Sequence, residues 1–164
     1  KSAPYPLAKA FTFYKLAGQF TTATRYLEAA FSADPNYKFD SGLSMADLRN
    51  EWAFELPYKK SRKRASESFD EEQWLSAYSG YIEAEEHALK AHQSGQFPSR
   101  LDFQSLAAES ATNAAISLRN ADQWRRARAL FQRVRREYPN YETLFISENI
   151  REIDNACPNR YLGC

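Results

Sequence analysis

Three stretches of this chain carry one pattern of apolar spacing, and that repetition constrains its fold more than any other feature. Phe20, Ala23, Leu27 and Ala30 advance in steps of 3, 4 and 3, which places them on one stripe of an α-helix. The spacing returns in Trp124, Ala127, Phe131, Val134 and Tyr138, and in Trp74, Ala77, Tyr81, Ala84 and Ala88. Each copy has an aromatic residue, a small residue three later and a bulky one four after that. Pro35 and Pro139 stop two of the copies, because the residue before a proline is pushed out of the α region. Both of those copies continue as Pro-Asn-Tyr, at Pro35–Tyr37 and Pro139–Tyr141. Such stripes bury themselves only against neighbouring copies, so the chain reads as an internal repeat of helices.

Composition supports helices throughout. Val134 is the only valine, glycines and prolines number 5 and 7, and no run alternates as a strand does. With 43% hydrophobic residues the 164-residue chain can build a core. The fold class is therefore all-α. The formal charge of +1 gives no field that favours a polyanion. No run of 18 apolar residues occurs, so no transmembrane segment is expected.

Taken in order, the chain delays its first helix past Pro4 and Pro6, to about residues 7–17, with Leu7, Ala10, Phe11 and Tyr14 as its apolar face. Gly18 turns it into the Phe20 helix. Ser44 and Asp47 suit the start of the next, whose stripe is Met45, Leu48, Trp52 and Leu56. Pro57 marks a boundary, Tyr58 to Ser68 forms a further helix, and Ser68 or Asp70 caps the Trp74 helix. Residues Gln93 to Pro98 form a loop. A helix rich in small residues follows (Ala107, Ala108, Ala111, Ala114, Ala115), then the Trp124 helix, then a last one presenting Phe145, Ile146, Asn149, Ile150 and Ile153 to the preceding pair. The expectation is one domain over 1–156 with units at about 4–37, 57–93 and 101–141, extra helices at about 44–56 and 142–156, and a loose tail at 157–164.

Chemical signatures are missing. There is no H-E-x-x-H, nucleophile elbow, phosphate-binding glycine loop or dinucleotide fingerprint, so no catalytic residue and no cofactor is expected. His87 and His92 point to different sides of a helix and share no metal. Lys59, Lys60, Arg62, Lys63 and Arg64 make a basic run, but Glu67, Asp70, Glu71 and Glu72 follow and can pair with it, which disfavours nucleic acid. Arg125, Arg126, Arg133 and Arg136 lie opposite their helix's apolar stripe, where a solvated face is the default. Cys157 and Cys164 are either a small terminal disulfide or two free thiols.

The pattern resembles the tetratricopeptide repeat, in which roughly 34 residues make two antiparallel helices. Leu7, Ala10, Phe11, Tyr14, Gly18, Phe20, Ala23, Leu27, Ala30 and Pro35 sit at that repeat's signature offsets. So do Ala111 through Ala115, Leu118, Trp124, Ala127, Phe131, Val134 and Pro139, whereas the middle copy fits only in its second helix and at Ala65. Trp74 divides the interval from Phe20 to Trp124 unevenly, so extra helices are inserted. The resemblance implies a short superhelix of about seven or eight helices and a non-catalytic module that binds a protein or peptide. It also implies a concave groove lined by Lys9, Thr12, Lys15, Lys59, Arg62, Lys63, Asn113, Ile116 and Arg119. That set is cationic, so an acidic peptide segment is the implied ligand. Tyr5 and Glu109 occupy two positions where carboxylate-gripping repeats carry Asn, Lys or Arg. The rival expectation is a structural subunit fixed in a larger assembly.

A narrower likeness joins residues 4–37 and the run from Tyr58 to Leu89 to the helical half of the leprecan group, which contains collagen prolyl 3-hydroxylases and cartilage-associated protein. The chain lacks that group's close cysteine pair and its His-x-Asp element. The likeness implies a non-catalytic segment of a collagen-modifying complex in an oxidising lumen, with Cys157 and Cys164 joined; without it a cytoplasmic location is expected.

Overall fold

The repeated stripes fold as helix pairs. The computed structural model describes residues 3–94 and 102–156, so Gly95–Pro98 of the expected loop and the Cys157/Cys164 pair lie outside the described residues. Seven helices run in order among the described residues: α1 (Pro4–Leu16), α2 (Phe20–Ala33), α3 (Met45–Asp70), α4 (Trp74–Ser94), α5 (Phe103–Asn120), α6 (Trp124–Glu137) and α7 (Thr143–Ala156). The fold is all-α, as the spacing requires. The chain forms two compact units, residues 1–56 and 57–164, and α3 contributes to both.

Three turns repeat the same hydrogen bonds. Gly18, Glu72 and Asp122 adopt φ of 69°, 58° and 56°, in the left-handed region. Each is followed by a glutamine whose N–H reaches back five residues: Gln19 to Tyr14 O (2.9 Å), Gln73 to Ser68 O (2.8 Å) and Gln123 to Leu118 O (2.9 Å). This is the Schellman closure of a helix C-terminus. Gly18 takes the left-handed position without a Cβ penalty, and Glu72 and Asp122 take it in its absence. The α3–α4 turn thus closes as the other two do, although the middle copy matches in sequence only in its second helix and at Ala65.

In the first unit Ala8, Phe11, Ala23, Leu27, Ala30, Met45 and Trp52 form the core. The Phe11 and Trp52 rings meet edge to face at 5.2 Å, and the Trp52 indole N–H donates to Thr24 Oγ1 at 2.9 Å. Ser44 and Asp47 bond reciprocally at the start of α3: the Ser44 N–H donates to Asp47 Oδ2 (2.9 Å), and the Asp47 N–H to Ser44 Oγ (3.1 Å). In the second unit Ala65, Ala77, Tyr81 and Ala114 are buried together, and the small residues of α5 let its neighbours approach. Gly80 packs so tightly that a Cβ there would stand 2.9 Å from Ala65 Cβ. α7 packs on α6 and buries Ile146, Asn149, Ile150 and Ile153.

Four local expectations are corrected. α1 starts at Pro4, because prolines are tolerated in a first helical turn where N–H groups are unpaired anyway. Pro57 does not break α3, which runs on through it. Trp52 and Tyr58 flank it, each buried within its own unit. Ser68 and Asp70 consequently belong to α3 and do not cap α4. Phe145 is exposed, one residue before the buried stripe of α7.

Candidate partner-binding surface

In the first unit Lys9 and Thr12 are exposed on α1. The Lys9 ammonium lies 4.6 Å over the Tyr5 ring, and the Thr12 hydroxyl donates to Ala8 O. Lys15 turns inward. Its Nζ bonds the buried Glu55 carboxylate at 2.5 Å and stands 5.8 and 5.5 Å from the Phe11 and Trp52 ring centres.

In the second unit Lys59 and Arg62 are half-buried, Lys63 is exposed, and Asn113, Ile116 and Arg119 are half-buried on α5. The Arg62 guanidinium bonds Glu109 across the α3–α5 contact. Lys63 stands 3.8 Å from Glu67 one turn on. Arg119 donates to Asn149 and, at 3.2 Å, to Glu152 of α7. Lys15, Arg62 and Arg119 therefore each neutralise a carboxylate of their own unit. Glu109 is the clearest case: at an expected clamp position, it instead joins α3 to α5.

Beneath the Arg62–Glu109 pair, Tyr58 is wholly buried, and its hydroxyl makes no hydrogen bond of good geometry, with Arg62 and Ser110 as its polar neighbours. A pocket of about 200 Å³ in the same unit is lined by Ser105, Ala108, Asn140 and Tyr141, among others. Burial, followed by the Glu109 carboxylate, pushes the Tyr141 phenol up to about 12. An unfolded tyrosine titrates near pH 10. The raised folded value makes this contribution to stability complete below about pH 10 and lost as the pH climbs to about 12. Tyr141→Phe should flatten the fall of stability across that window, measured by urea unfolding at stepped pH. An unchanged slope would contradict the assignment.

Sequence reasoning missed a buried network on the second helices of the pairs. Glu85 of α4 is 2% exposed. Its Oε2 accepts from Arg133 Nη2 at 2.6 Å, and its Oε1 from the Tyr138 hydroxyl at 2.9 Å. Burial, then the Glu85 charge, raises the Tyr138 phenol well above its ordinary range. Arg133 is thus an internal partner and departs from the solvated face expected for it. The signal was present: Glu85 lies four residues after Tyr81, on the buried stripe, where a carboxylate needs a cation. Arg128 likewise grips Asp154 of α7 with two bonds, at 2.6 and 3.2 Å.

Among the described residues no group of three His, Cys, Asp or Glu side chains could hold a metal ion, and no helix is long and apolar enough to cross a membrane. Residues 109–141, the latter part of α5, α6 and the Pro-Asn-Tyr segment, match the family model of the tetratricopeptide repeat. The match supports the tetratricopeptide-repeat superfamily and a protein-interaction or scaffold role. No curated protein and no solved structure matches the chain. The narrower likeness to the leprecan group has no support.

Proposed function

We propose that the chain is a non-catalytic interaction module whose first helices bind a segment of another protein. The observation that supports this best is the Arg62–Glu109 pair. It joins a stripe of α3 bearing Lys59 and Lys63 to a stripe of α5 bearing Asn113 and Ile116. Lys59 lies three residues before Arg62 and four before Lys63, and Glu109, Asn113 and Ile116 step by four and three, so each set shares one side of its helix. Lys9 and Thr12 are the corresponding outward residues of α1.

The preferred ligand is an acidic segment. Because Lys15, Arg62 and Arg119 serve internal carboxylates, binding is weaker and more salt-sensitive than nine groove residues would imply. The test is to isolate a partner with the chain as bait and measure the captured segment's affinity at low salt. Lys59→Glu with Lys63→Glu should weaken it by about tenfold, which is about 1.4 kcal/mol, while the circular-dichroism spectrum stays helical. Unchanged affinity would overturn the assignment of this face.

A second reading, the fixed subunit, rests on Phe13 and Leu16, which are 68% and 81% exposed on α1. A constitutive neighbour would cover them. Sedimentation distinguishes the two, since an interaction module stays monomeric alone and an obligate subunit self-associates.

A further inference from the structure

The middle helix pair departs from its two copies along one groove. The shared turn aligns the copies: the carbonyls of Tyr14, Ser68 and Leu118 accept the glutamine N–H that closes each first helix. On the second helices Tyr26, Gly80 and Leu130 stand at matching distances from Phe20, Trp74 and Trp124. In the first pair the Tyr14 and Tyr26 rings stack at 5.1 Å. In the third Leu118 is buried and Leu130 packs against the cluster of Ala65, Ala77, Tyr81 and Ala114. The middle pair holds only Ser68 and Gly80 there, and these two line a groove of about 500 Å³ between α3 and α4.

The rim departs as well. Leu75 lines the groove and is 52% exposed, where the other copies carry Thr21 and Arg125. A lone exposed leucine means little, but this one borders the place where the large side chains are missing. The cation and the carboxylate that line the groove, Arg64 and Glu83, bond each other at 2.8 Å, so it offers apolar surface rather than free charge. The third pair shows what this face of the repeat receives. Ala114, Leu130 and Arg133 hold the positions of Arg64, Gly80 and Glu83. They meet α4: Ala114 and Leu130 pack with Ala77 and Tyr81, and Arg133 bonds Glu85. The occupant there is a helix.

We propose that the α3–α4 groove is a docking site for an amphipathic helix of another protein. That helix carries two large apolar or aromatic side chains one turn apart, one laid over Ser68 and Gly80 and the other against Leu75. They supply from outside what Tyr14 with Tyr26, and Leu118 with Leu130, supply from within. Gly80 itself cannot fill the space, because a Cβ there would stand 2.9 Å from Ala65 Cβ. Apolar burial drives such a contact, so salt leaves it nearly unchanged, unlike the acidic segment on the α3–α5 face. The groove goes beyond that reading and shares no residue with it.

The probe is a labelled helical peptide of about 18 residues, rich in Ala and Gln, with Tyr and Leu four apart on one face. Its control is an isomer with the same two residues on opposite faces. Fluorescence anisotropy should show the first peptide binding about tenfold tighter, a preference that holds from about 0.05 to about 0.5 M salt. Ser68→Leu copies Leu118, fills the groove and should abolish the preference. Leu75→Thr copies Thr21 at an exposed site, where folding is undisturbed, and should cut it to about threefold. Equal binding of the two peptides, loss of the preference at high salt, or an undiminished preference in Leu75→Thr or in a helical Ser68→Leu variant would overturn the proposal. So would self-association of the chain that Leu75→Thr abolishes in sedimentation, since it gives the groove to a second copy. Lys59→Glu with Lys63→Glu should leave the preference intact, so this site and the α3–α5 face fail separately, by different residues and opposite salt responses.

Discussion

Arg133→Met should remove about 3–5 kcal/mol of stability, the cost of leaving a buried charge without its partner. Glu85 is 2% exposed, and its two oxygens accept from Arg133 and Tyr138. Without the guanidinium, the carboxylate keeps one phenolic donor and loses its charged partner. The effect is asymmetric. Glu85→Leu together with Arg133→Met removes both charges and should cost less than Arg133→Met alone, because a buried ion pair repays little more than its own desolvation. Urea unfolding of the two variants and of Glu85→Leu closes the cycle. A loss below about 1 kcal/mol for Arg133→Met would mean that water reaches Glu85 and that the α4–α6 contact is looser than described.

Phe131→Ala should cost about 3–5 kcal/mol, through lost burial and the cavity it leaves. Phe131 is fully buried at the centre of the third stripe, between Ala127 and Val134, both fully buried as well. Leu27 and Tyr81 hold the same position in the other copies. Trp124 is the larger side chain, but it heads its helix and is half-buried, so Trp124→Ala should cost less than Phe131→Ala. The order tests the register of the repeat directly. If the tryptophan substitution proved the more damaging, the stripe would be anchored at its first residue, contrary to the burial seen here.

Much of the architecture was legible because it is local. The steps of three and four define a helix face wherever they occur, and Ala23, Ala77 and Ala127 are fully buried in all three copies. The Ser44–Asp47 cap was readable for the same reason: its hydrogen bonds span three residues. The aromatic heads were misjudged by the same reasoning. Phe20, Trp74 and Trp124 belong to the stripes by spacing, yet each is only half-buried, and the tryptophan sealed in a core is Trp52. Periodicity identifies a face but says nothing of how far along it a neighbouring helix reaches.

The surface residues show the same division more sharply. Nine side chains were assigned to one groove by their offsets, and offsets do predict which way a side chain leaves its helix. They do not predict what waits across the gap. Lys15 meets Glu55, Arg62 meets Glu109, and Arg119 meets Asn149 and Glu152, at separations of 30 to 47 residues. Glu85 and Arg133 are 48 residues apart. The sequence by itself determined the helices, their buried stripes and the repeat, since each depends on neighbours within a turn or two. Only the tertiary structure decided that α3 continues through Pro57 and which charges are spent inside the fold. Those outcomes depend on desolvation and pairing between distant helices, and a charge's worth is set by the partner that packing brings within hydrogen-bond reach.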